Sequence, residues 1–80
     1  MNNQLLQDAI ELLQILSEEE DVGKAFRERV NSIITLLTSK APLAVEKSLL
    51  ELEELNSLEI SSYFRTQVWD VVSLLESAKR

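Results

Sequence analysis

The chain contains neither cysteine nor histidine. Without cysteine there is no disulfide and no thiolate site, and without histidine the commonest metal ligand and the usual near-neutral acid–base group are missing. Glycine and proline occur once each. A single glycine cannot build a phosphate-cradling loop, and so little punctuation leaves long elements joined by short connections. Basic residues are outnumbered, eight against fourteen acidic, for a net charge of −6. Divided after Lys40, each half holds four basic and seven acidic residues, a net −3 apiece. No Lys/Arg stripe or tail exists to neutralise phosphates, which argues against nucleic-acid binding and against anionic membrane surfaces. No apolar run approaches the roughly 18 residues of a membrane span. The start, Met1-Asn2-Asn3-Gln4, lacks the basic region of a secretory signal, so a cytoplasmic location is expected.

What is present is a helical pattern. Eighty residues, 45% of them hydrophobic, suit one small globular domain over 1–80. At about 100° per residue, Leu5, Leu6, Ala9, Ile10, Leu12, Leu13 and Leu16 form one broad stripe, which predicts a helix over 3–18. The acidic run Glu18–Asp21 and Gly23 interrupt it. Phe26, Val30, Ile33, Ile34 and Leu37 predict a second helix over 23–39. A joint at Ser39-Lys40-Ala41-Pro42 follows, because proline suits a first helical turn. Val45, Leu49 and Leu52, with Ser48 beside them, mark a third helix over 42–55. The fourth begins near Ile60 or Ser61 and carries Phe64, Val68, Val71, Val72 and Leu75. Tyr63, Trp69 and Leu74 flank that last stripe, so this helix is expected to be the most buried.

The chain also repeats itself. A shift of 38 places Phe26-Arg27 on Phe64-Arg65, Val30 on Val68, Ile33-Ile34 on Val71-Val72 and Leu36-Leu37 on Leu74-Leu75. With one residue of slip, Ile10, Leu13 and Leu16 fall on Leu49, Leu52 and Leu55. Each half reads as one helical hairpin, over about 3–39 and 42–78. Paired helices of this length also occur in HEAT-like arrays, but two units leave an open solenoid uncovered. The expected fold is all-α, an antiparallel four-helix bundle built from two duplicated hairpins.

Three stretches resemble an uncharacterised archaeal family of small acidic helical proteins: Val22-Gly23-Lys24-Ala25-Phe26-Arg27, Ala44-Val45-Glu46-Lys47, and Ile60-Ser61-Ser62-Tyr63-Phe64-Arg65-Thr66-Gln67-Val68-Trp69. The family pattern has proline where this chain has Gly23 and Ser61, and arginine where it has Glu46. The resemblance implies a four-helix bundle and an archaeal, cytoplasmic source. It implies no activity.

Candidate chemistry is sparse. Glu18–Asp21 lacks the spaced oxygens of a calcium loop and reads as a solvated charge block, so no metal site is assigned. Glu46, Glu51, Glu53 and Glu54 make an acidic face on the third helix, a docking surface for a basic partner rather than a catalytic pair. Arg27 and Arg65 sit one turn into equivalent helices, where a guanidinium can bind a phosphate or carboxylate, or else bond the carbonyls ending the preceding helix or pair with a nearby carboxylate while its stem covers the core edge. With Phe26 and Phe64 they are assigned structural roles. Trp69, which faces Asn31 in the repeat register, is either a core-rim filler or an interface anchor, and Tyr63 and Leu74 raise the same alternatives. No catalytic residue, cofactor or enzyme activity is expected. The functional expectation is a protein-interaction or structural module, either a homodimer or stabilised by a partner protein, through the flanks of the fourth helix. The alternative is an accessory subunit or small-ligand carrier using the bundle interior, which needs inward polar groups and has only Ser48 placed that way.

Overall fold

A computed structural model describes residues 3–20, 22–39, 43–58 and 60–79. Among these the chain forms four helices: α1 (Asn3–Glu18), α2 (Lys24–Thr38), α3 (Ala44–Asn56) and α4 (Ser62–Ala78). Asp21 of the acidic run and Lys40, Ala41 and Pro42 of the expected joint lie outside the described residues.

Helix starts follow local chemistry. Ser61 caps α4 in extended backbone (φ −67°, ψ 159°), and its Oγ accepts a hydrogen bond from the Phe64 N–H at 3.3 Å. Gly23 takes the same place before α2 with nearly the same backbone (φ −70°, ψ 162°) but has no side chain to accept one. Both φ values are ones that proline also adopts. The start of α3 departs from the others. Leu43 precedes it in the left-handed region at φ 61°, where a Cβ is strained, so α3 begins at Ala44 instead of the expected residue 42.

Each helix packs its backbone against two others in the cyclic order α1–α2–α3–α4–α1, and the diagonal pairs meet only through side chains across the core. Contact between α1 and α4 closes the ring, which an open HEAT-like pair would not do. Directions follow from side chains: Arg29 near the start of α2 pairs with Glu54 near the end of α3. Asn3 and Gln7 at the start of α1 line one cleft with Leu37 and Thr38 at the end of α2. Phe26 and Phe64, both in first turns, meet with ring centroids 5.8 Å apart, so α2 and α4 start at the same end. The arrangement is an antiparallel four-helix bundle.

The core is aliphatic. Leu13, Leu16, Val30, Ile33, Leu52, Leu55, Val68, Val71 and Leu75 are fully enclosed. Burying each large side chain contributes about 1.5–3 kcal/mol, which is what holds a chain of this size together. Environments match across the repeat registers. Val30 and Val68, Ile33 and Val71, and Leu13 and Leu52 are buried pairs, while Ile34 and Val72, like Val22 and Ile60, pack half-buried on the rim. One feature differs from expectation. Helix α4 is no more enclosed than its neighbours, since Tyr63 and Trp69 project outward and Leu74 is partly covered. Ser48, the one polar residue expected to face inward, is fully buried on α3 at the place that Ala9 takes in the register.

Candidate functional site

The two arginines close the two hairpins. Arg27 donates from Nε to the Ser17 carbonyl at 3.0 Å and from Nη2 to the Glu19 carbonyl at 2.8 Å. Arg65 donates from Nη1 to the Asn56 carbonyl at 3.0 Å. Ser17 and Asn56 correspond at the 39-residue shift, so both guanidiniums satisfy the same orphan carbonyl at the end of a preceding helix. Neither is aimed at an open anion site. Phe26 is 3% exposed, whereas Phe64 is only half-buried and has the Tyr63 ring edge-on at 5.2 Å.

Four seams separate the helices, and the side chains at their edges can be placed. Arg29–Glu54, together with a shared cleft of Ser32, Leu36, Lys47 and Glu51, puts those edges of α2 and α3 against each other. Helical periodicity then turns the opposite edge of α3, with Glu46, Leu49 and Glu53, toward α4. Arg65 reaches α3, and Trp69 follows it by one turn, so Trp69 and Glu76 occupy the α3-facing edge of α4. Tyr63, Gln67 and Leu74 are on the other edge, toward α1. The α1 edge turned away from α2 carries Leu12 and Ile15 and completes that seam.

The three candidate interface residues therefore fall into two groups. Tyr63, 59% exposed, and Leu74, packed partly on the core, belong to the α1–α4 side. Trp69, 55% exposed, belongs to the α3–α4 side. Between them the outward strip of α4 carries Thr66, Asp70, Ser73 and Ser77, so they do not form one apolar patch. Each side gains an exposed apolar neighbour from another helix, Ile15 on α1 and Leu50 on α3. Sequence reasoning passed over Leu50, although its position about 160° from the middle of the α3 stripe was a usable signal.

The arrangement offers surfaces and little else. Among the described residues no group of three His, Cys, Asp or Glu side chains could hold a metal ion, and no helix is long and apolar enough to cross a membrane. Ser48 is the one enclosed polar residue described, and its Oγ makes no hydrogen bond. An interior so filled with aliphatic side chains has no convergent polar groups to orient a ligand.

No match was found among curated proteins or among solved structures. A family model does match, over residues 1–78, and its family has no assigned function. With 78 of 80 residues covered, the chain belongs to the Uncharacterised protein family (UPF0147).

Proposed function

We propose that the protein is a non-catalytic interaction module and that it associates with a second copy of itself through the α1–α4 seam. The observation that carries this reading is the pair of large apolar side chains, Ile15 and Tyr63, held outward by rigid helices on one seam. Leu12 and Leu74 continue the apolar strip beneath them. A small aliphatic core gives only about 3–5 kcal/mol of net stability, so covering this strip would add materially to it. The absence of histidine and cysteine and the aliphatic interior favour a surface role over catalysis or ligand carriage.

The test is oligomeric state against concentration. Sedimentation should show a dimer that dissociates on dilution, and the melting temperature should fall in step. Ile15→Glu should remove the concentration dependence while the helical signal persists. Light scattering that gives a 9.1 kDa monomer up to millimolar protein would sink the self-association reading.

A further inference from the structure

We infer that the α3–α4 face around Trp69 docks a basic amphipathic segment of another protein. This rests on the interaction-module reading, and it concerns a different seam from the one assigned to self-association. Trp69 on α4 is 55% exposed and Leu50 on α3 62% exposed, so each of these two helices puts one large apolar side chain into solvent. Glu46 and Glu53 lie along the α3 edge of the same face and make no ion pair among the described residues. Glu76 meets only Lys79 of its own helix, at 3.7 Å. Arg65, the other cation on this side, has its guanidinium on the Asn56 carbonyl. The face thus presents apolar surface bracketed by carboxylates that have no cation across the seam.

The other hairpin shows what the scaffold itself requires. In the repeat registers Trp69 corresponds to Asn31, Glu46 to Gln7, Glu53 to Gln14, Glu76 to Thr38 and Leu50 to Glu11. Asn31, Gln7 and Gln14 stand at exposed positions of a hairpin whose buried positions largely match, Phe26 with Phe64 and Ile10 with Leu49 being exceptions. A neutral amide therefore suffices for folding at these places, and neither the indole nor the carboxylates are needed by the bundle. Their chemistry selects the occupant. An indole face attracts Lys or Arg side chains, whose methylene stems also cover it, and Leu50 extends the apolar contact. The carboxylates favour a positive segment and repel a second copy of a chain with net charge −6.

Trp69 is the only tryptophan in the chain and reports the contact directly. The full chain would be titrated with a synthetic amphipathic peptide of leucine and lysine, and with the same peptide carrying glutamate for lysine. Saturable binding of the lysine peptide alone is expected, with a blue shift of Trp69 emission and weakening as salt is raised. Anisotropy of labelled peptide then reads the variants. Trp69→Asn should weaken binding about tenfold or more, and the Glu46→Gln/Glu53→Gln pair should weaken it and flatten its salt dependence. Circular dichroism melts establish that each variant is folded. The Ile15→Glu monomer should bind like the parent, so failure of self-association and failure of this inference are separable. Binding unaffected by Trp69→Asn or by the glutamine pair, or no binding at any peptide concentration, overturns the proposal.

Discussion

The α2–α3 seam and the α1–α4 seam occupy equivalent places in the bundle, yet opposite chemistry closes them. Across the first, Arg29 Nη1 meets Glu54 Oε2 at 2.6 Å, with Ser32, Lys47 and Glu51 alongside. At the matching positions of the second stand Gln67 for Arg29, Ile15 for Glu54, Leu12 for Glu51, Asp70 for Ser32 and Asp8 for Lys47, and Tyr63 replaces Ala25. The interiors behind the two seams are nearly interchangeable, as the buried pairs Val30 with Val68 and Leu13 with Leu52 illustrate. Packing constrains what faces inward, because a change of one methylene is felt there. Nothing comparable constrains the seam edges, and that is where the halves differ.

The largest effect is expected where the halves meet. Phe26→Ala should cost about 3–5 kcal/mol, enough to unfold a domain of this size. Phe64→Ala, from a half-buried ring, should cost about half as much. Denaturant midpoints would read both, and equal losses would mean that the two rings are equally enclosed after all.

A smaller effect tests the interior match directly. Ser48 has a buried hydroxyl with no partner where the other half has Ala9. Ser48→Ala should stabilise the bundle by about 1 kcal/mol, raising the melting temperature by about 4–8 °C. Ala9→Ser should lower stability by about 1–3 kcal/mol. If neither midpoint moves, the two positions do not share an environment.

The smallest effect on stability concerns the seams. Measured at concentrations too low for self-association, transplanting the ion pair with Ile15→Glu and Gln67→Arg should leave the stability of the single chain within about 1 kcal/mol, because exposed pairs contribute little. Conversely, Glu54→Gln should cost no more than about 1 kcal/mol, and less at high salt. A large loss from either change, read in thermal melts, would mean that seam chemistry does support the fold.

Much of this architecture was legible in the sequence because helical periodicity is local. The stripes of Leu13, Val30, Leu52 and Val68 located the core, and helix ends fell within about two residues of the observed ones. Arg27 and Arg65 were readable as closures because each lies just past the joint whose carbonyls it binds. What could not be read was non-local or conformational. Arg29 and Glu54 are 25 positions apart, and their meeting depends on which way round the helices pack. The left-handed backbone at Leu43 has no signal in a residue type that avoids it. The inward place of Ser48 is legible from its position on the wheel between Val45, Leu52 and Leu55, but not that its hydroxyl finds no partner there. For the candidate site, Trp69, Tyr63 and Leu74 were named together, but periodicity on one helix could not say which neighbour each edge would face.

The seam between α1 and α4 differs from the other three in a respect that belongs to time rather than to energy. Every other seam joins consecutive helices, whereas this one must bring together segments separated by two intervening helices. The entropy lost on closing a chain segment rises with its length, so docking of α1 on α4 is expected late on the folding route, after the hairpins have formed. Contacts made late are absent from the transition state, and they govern how fast the structure opens rather than how fast it forms. In stopped-flow measurements, Leu12→Ala should speed unfolding and leave refolding nearly unchanged. The strip that gives the bundle a surface for a second copy is then also its slowest clasp, and a partner covering it would lengthen the lifetime of the folded state.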